Sequence, residues 1–201
     1  MEKTAQTSAP LHDLLARRWS PRAFAQRPVE NTKLSALFEA ARWAPSCYNN
    51  QPWRFILATR DHPGEFERML SCLVQANQVW AQHAPVLILA VAQQHFAHDG
   101  KPNAHAWHDI GLATENLIIQ AMTLDLHAHV MAGFDAERAR DLYEIPGDFD
   151  AVTAMAVGYL GDLGALPDDL RVREEAPRER RPLRDLVFAG TWGQTAALCT
   201  L

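Results

Sequence analysis

Lysine is scarce in this chain. Lys3, Lys33 and Lys101 are the only three, so almost all of the cationic charge is arginine. The 19 basic side chains are outnumbered by 24 acidic ones, and the formal net charge is −5. A chain without a basic excess lacks the electrostatic footprint that a nucleic acid requires. Cysteine is also sparse: Cys47, Cys72 and Cys199 are odd in number and have no CxxC spacing. This excludes a disulfide framework and a cysteine-based zinc site, and it fits a reducing compartment. No apolar run reaches the roughly 18 residues that a membrane-spanning helix needs. The polar segment Met1 to Pro10 has no apolar h-region of a signal peptide. The expectation is a cytoplasmic protein with no membrane and no nucleic-acid partner. Gly-x-Ser-x-Gly and Gly-x-Gly-x-x-Gly are both missing, so there is no sign of a nucleophile elbow or of a Rossmann nucleotide site.

What is present suits one domain over residues 1–201, with 48% hydrophobic and 21% charged residues. Residues 1–10 are expected to be disordered. Leu11, Leu14 and Leu15 start a short helix, and Ser20-Pro21 breaks the chain direction. A second helix begins at Asn31 or Thr32 as N-cap. It repeats Leu34, Leu37, Phe38 and Ala41 on one face and ends before Pro45. Arg54 to Thr59 reads as a strand and 63–82 as a helix. Val86 to Val91 is a continuous apolar run that suggests a strand buried on both faces. A long buried helix is expected over 104–126, then a loop or short strand over 127–134. Asp135 should cap a helix reaching Tyr143, and Thr153 to Leu160 forms a third strand. The tail 162–201, rich in Pro, Arg and Glu, reads as an extended arm that needs another subunit to lie on, or else as a disordered tail. The class is α+β, with a mixed sheet flanked by helices.

Three clusters carry chemistry. Arg18-Trp19-Ser20-Pro21-Arg22 places two rigid guanidinium forks and a hydroxyl where they can converge on one phosphate; the alternative is a solvated turn. Arg178-Glu179-Arg180-Arg181-Pro182 is an ordinary charged tail unless it folds back toward the first cluster. Pro45-Ser46-Cys47-Tyr48-Asn49-Asn50-Gln51-Pro52 is dense in amides. Such side chains complement the donors and acceptors of a flavin pyrimidine edge, or cap their own loop backbone. Among nine histidines, His105 and His108 lie three apart beside Asp109, and His127 and His129 alternate. No second ligand group completes a metal site, and none is expected. Cys47 reads as a small buried packing residue.

The arrangement Arg-x-Ser-x-Arg-x-Phe at 18–24, followed by Ala-Ala-Arg-x-Ala-Pro-Ser-x-x-Asn-x-Gln-Pro-Trp-x-Phe at 40–55, resembles the FMN-dependent nitroreductase family. Asn77-Gln78-Val79-Trp80, Ala84-Pro85, Gly133-Phe134-Asp135, Gly158-Tyr159 and the Arg-x-Arg-x-Pro at 178–182 extend the likeness over most of the chain. Trp19 stands where the family often has a basic residue, and Asp125 where it usually has glycine; aspartate tolerates the left-handed conformation that such a helix end needs. Leu126 to Val130 is less typical of the family and leaves the substrate preference open.

The resemblance implies an interwoven homodimer with FMN at the interface. Arg18, Trp19, Ser20 and Arg22 would hold the phosphate and ribityl end, and Arg178 and Arg180 would close on the phosphate from the tail. Pro45, Ser46, Cys47 and Asn49 would reach the flavin of the other subunit, and Asn77 would meet the pyrimidine edge. Gly133 would offer its backbone N–H near flavin N5, and Trp107 is a candidate substrate contact. It further implies a ping-pong oxidoreductase: NAD(P)H, from NADH or NADPH, gives a hydride to the flavin, which then reduces a small-molecule acceptor such as a nitroaromatic or quinone. The alternatives are enone reduction, reductive dehalogenation or flavin destruction on the same fold, a non-catalytic FMN sensor or store, or an adaptor on a decayed fold that binds no flavin.

Overall fold

The computed structural model describes residues 3–199. Helix α1 (Asp13–Arg17) and helix α2 (Asn31–Arg42) precede strand β1 (Trp53–Thr59). Helices α3 (Pro63–Leu70) and α4 (Gln75–Ala81) then lead to strand β2 (Val86–Gln93). Helix α5 (Ala106–Thr123), strand β3 (His127–Met131), helix α6 (Ala136–Tyr143) and strand β4 (Phe149–Gly158) follow, and helix α7 (Asp168–Glu175) opens the tail. The sheet order is β1-β2-β4-β3. The α+β class is the expected one. Within the chain, however, all three strand pairings are antiparallel, so the described strands make an antiparallel sheet where a mixed one was expected.

Strand β2 shows why an uninterrupted apolar run belongs at the centre of this sheet. Val86, Ile88 and Ala90 point to one face and Leu87, Leu89 and Val91 to the other, and all six are buried. The first set packs with Leu34 and Leu37 of α2 and Ile110 and Leu117 of α5. The second packs with Phe66 and Met69 of α3, Trp80 of α4 and Leu170 of α7. Each buried Val, Leu or Ile among them contributes roughly 1.5–3 kcal/mol when taken out of water, so two complete faces fix the register of the sheet.

Local signals account for several element ends. Asp135 caps α6 by accepting from the Arg138 N–H at 2.9 Å. Asp125 adopts the left-handed conformation (φ 59°) just past α5, where Leu126 N–H returns to the carbonyl of Ala121. Helix α2 begins at Asn31, as expected, but Asn31 is its first residue and not its cap: Glu30 is the N-cap and makes no side-chain cap bond. The helix expected over 63–82 is two helices. Between them, Cys72 O accepts from Asp135 N–H, Leu73 bridges Phe134, and Val74 N–H donates to Gly133 O. These pairings with the 133–135 segment replace the intrahelical bonds.

The two chain ends also depart from expectation. Lys3 and Ala5 are tied down: Lys3 Nζ donates to the carbonyls of Glu174 and Ala176, and Ala5 N–H to that of Ala16. Met1, Glu2, Thr200 and Leu201 lie outside the described residues. The tail is not extended throughout, because α7 buries Leu170 and Glu174 against the body of the chain.

Candidate functional site

The segment from Arg18 to Ala25 leaves α1 and runs beside the sheet. Ala23 O accepts from Gly161 N–H, and Ala25 N–H donates to Tyr159 O, so residues 23–25 extend the pairing beyond β4. Gly161 is required for this approach: a Cβ there would stand 2.4 Å from the carbonyl carbon of Phe24. Trp19 and Pro21 are buried, and the histidines of β3 support them. The His127 ring stands edge-on to Trp19 at 6.4 Å. His129 Nδ1 lies 2.9 Å from Pro21 O, and its ring is 4.6 Å from that of Trp80. Burial pushes the pKa of both histidines down to about 4. They are therefore neutral supports rather than charges, and His127 Nδ1 is buried without a partner among the described residues.

The tail does fold back toward this segment. Arg178 Nη1 donates to the carbonyls of Lys3 and Ala16 at 2.6 and 2.7 Å. Burial lowers the Arg178 pKa, and the neighbouring positive charges of Arg18 and Arg180 add to the effect. Arg18 Nη1 points to Ser20 Oγ at 3.5 Å. Arg18, Arg178 and Arg180 have no carboxylate partner among the described residues. Three guanidinium groups from both ends of the chain thus repel one another, an arrangement that an anion would relieve. Arg22 is different. Its guanidinium and backbone N–H both contact Glu174, a buried acid on α7 that sequence reasoning missed within a charged run.

Asn77 and Gly133 meet directly. Asn77 Nδ2 donates to Gly133 O at 2.9 Å, leaving its Oδ1 for another partner. A Cβ on Gly133 would come within 2.7 Å of Asn77 Nδ2 and 2.9 Å of Val74 Cγ2. Close packing of α4 is thus a reason for glycine that stands independently of any ligand. The Gly133 N–H has no acceptor among the described residues.

The amide-rich loop is a tight 3₁₀ turn over Cys47–Asn49. Tyr48, Asn49 and Gln51 all have positive φ, at 51°, 54° and 48°. Side chains rarely adopt this conformation in succession, and it costs of order 1 kcal/mol per residue. Asp109, buried on α5, holds the turn by accepting from the Cys47 N–H at 2.9 Å. This Asp was read in the sequence as a neighbour of possible metal ligands; its observed role is to cap the loop, with His108 Nδ1 3.2 Å away. Gln51 N–H donates to Ser46 Oγ, and Gln51 Nε2 to the Asn49 side chain. Part of the amide density is therefore spent on the loop itself. Cys47 is half-buried rather than buried. Pro45, Tyr48 and Asn49 are exposed, as is Trp107 near the start of α5. Two groups thus emerge within one chain: the Arg18/Ser20/Arg22/Arg178/Arg180 cluster, and the exposed turn 45–49 beside α5.

The sequence model of the nitroreductase family matches residues 15–159. A protein of Mycolicibacterium smegmatis, described only as an uncharacterized 15.4 kDa protein, is 33% identical over 146 residues, covering 70% of this chain and 97% of the relative. A Streptomyces coelicolor protein named as a candidate NADH dehydrogenase/NAD(P)H nitroreductase is 30% identical over 156 residues, covering 68% and 76%. Among solved structures, one described as an oxidoreductase containing FMN superposes with a TM-score of 0.90 at 38% identity, covering 94% of this chain and 96% of that one. A nitroreductase family protein of Clostridium difficile shares the fold, with a TM-score of 0.69 at 24% identity over 89% and 96% of the two chains. A match that spans both the arginine segment and the amide-rich turn, with a fold retained over nearly the whole length, places this chain in the nitroreductase family.

Proposed function

We propose that the chain is an FMN-dependent oxidoreductase that takes reducing equivalents from NAD(P)H and passes them to a small acceptor such as a nitroaromatic or quinone. The carrying observation is the convergence of Arg18, Arg178 and Arg180, without carboxylate partners, from opposite ends of the chain. A phosphomonoester dianion neutralises that repulsion. The residues fit FMN: guanidinium forks and the Ser20 hydroxyl for the phosphate, the free Asn77 Oδ1 for a ring N–H, and the unpaired Gly133 N–H for a ring nitrogen. When bound, FMN supplies the hydride chemistry at N5; the protein supplies position and electrostatics.

The chain's own residues divide the work. Arg18, Ser20, Arg22, Arg178 and Arg180 anchor the phosphate, with Trp19 as packing beneath them. Pro45, Ser46, Cys47 and Asn49 are assigned to the flavin of a second copy of the chain, in a homodimer. The exposure of Trp43 (73%), Tyr48 (81%) and Trp107 (56%) supports this assembly, because large apolar rings near one turn gain from being covered. Trp107 and Tyr48 then line the acceptor's approach.

The test is the absorption spectrum of purified protein before and after anaerobic NADPH. A two-band flavin spectrum that bleaches, and a dimer mass in solution, are expected. A colourless protein that also fails to take up added FMN refutes the proposal. Bleaching without turnover of any acceptor would leave the non-catalytic flavin store as the correct reading.

A further inference from the structure

We infer that Glu174 is a positioning residue for phosphate recognition, holding Arg22 and its backbone in the geometry that reads FMN. The inference rests on the proposed function. Glu174 is 1% exposed, and its carboxylate is shared among three donors of one short segment. Oε1 accepts from the backbone N–H groups of Arg22 at 2.5 Å and Ala23 at 3.2 Å, and Oε2 lies 3.3 Å from Arg22 Nη1. On its other edge the same segment is pinned to the end of β4 through Ala23 O and Ala25 N–H. The carboxylate thus does the work of a neighbouring strand, and it adds a negative charge that a strand would not bring.

That charge marks the role. Taking a carboxylate out of water is costly, and a neutral isostere often serves stability as well or better. Here the charge faces Arg22 and lies among the cations that surround the anion site. It can aim the Arg22 fork, leaving the guanidinium donors not used by Glu174 directed at a ligand. The main chain of α7 is also engaged: Lys3 Nζ holds the carbonyls of Glu174 and Ala176, so α7 is fixed from both sides.

The experiment compares FMN with riboflavin, which shares the ring and lacks the phosphate, by fluorescence titration of wild type and Glu174→Gln. Glutamine keeps the shape and an acceptor for the two amides but loses the charge that aims Arg22. The expected result is an FMN Kd raised about tenfold, the size of one charge-assisted contact, with riboflavin affinity changed less than about twofold. The FMN effect should vanish in an Arg22→Ala background, because the two residues act as one unit. Equal weakening of FMN and riboflavin, or no weakening of either in a folded variant, overturns the inference and leaves Glu174 as a structural clamp. If Glu174→Gln does not fold, Glu174→Asp, which keeps the charge but retracts it by a methylene, takes its place; the same selective loss of FMN, smaller in size, is expected, and its absence is equally decisive against the inference. A wild-type chain that binds neither flavin overturns the proposed function itself, a result distinct from the others.

Discussion

Acid should loosen the arginine segment before it unfolds the rest of the protein, and His129 gives the size of the effect. In the folded chain its Nδ1 faces Pro21 O and its ring packs on Trp80, and burial holds its pKa near 4. In the unfolded chain the value is about 6.5. Below about pH 6.5 the unfolded state therefore binds a proton that the folded state refuses, and stability falls as pH falls until about pH 4. Between about pH 7.5 and about pH 5 this one group should remove about 2 kcal/mol from the unfolding free energy. His127, whose pKa burial likewise lowers to about 4, acts in the same direction. The assay is urea unfolding of the apo-protein at the two pH values, for wild type and His129→Gln. Glutamine can keep a donor toward Pro21 O but does not titrate in this range. The variant should lose about 2 kcal/mol less than wild type over the same interval. A variant with the full wild-type acid slope would show that His129 is not a neutral buried support.

Other substitutions probe the remaining contacts. Gly133→Ala forces a methyl against Asn77 Nδ2 and Val74 Cγ2. It should lower stability by about 1–3 kcal/mol in urea titrations, as overpacking usually does, and should weaken FMN binding with it. Asp109→Ala removes the buried acceptor of the Cys47 N–H. A loss of about 1–3 kcal/mol is expected, together with faster proteolytic cleavage in the 45–51 turn. Arg178→Gln should raise the FMN Kd by roughly tenfold or more in a fluorescence titration, equivalent to about 1.5–3 kcal/mol for a bond to a charged group. Unchanged FMN affinity would remove Arg178 from the site. Trp107→Ala should leave FMN affinity as it is and raise the KM for aromatic acceptors; an unchanged KM would remove it from the acceptor's path.

Local sequence carried much of the fold. The apolar run 86–91, short and without alternation, reads as a strand buried on both faces, and β2 is buried on both. Asp135 and Asp125 act at helix ends as their side-chain chemistry predicts. What could not be read was set by partners far away in sequence. Nothing in Ser71-Cys72-Leu73-Val74 breaks a helix; the break comes from pairing with 133–135. The site shows the same division. Arg18, Ser20 and the 45–51 turn announced themselves by spacing, and folding back of the tail was the condition set for the arginines near 178. Glu174 was invisible because one acid in a run of charges looks like solvated surface, and only the fold reveals that α7 buries it against Arg22. Asp109 stands out in the sequence only as the neighbour of two histidines for which no metal site is expected, and nothing local shows that its carboxylate accepts from the Cys47 N–H.

The clasp between the chain's ends has a consequence for folding order. Lys3 reaches Glu174 across 171 residues, Arg178 reaches Lys3 across 175, and Glu174 reaches Arg22 across 152. Contacts of such long separation carry the largest loop-closure cost and form late. Emerging from the ribosome, the chain can pack its sheet and the layer of α2 and α5 while the arginine segment and the other layer still wait for α7. A cofactor that binds at those arginines would then select molecules in which α7 has docked, and would act as a seal on that closure.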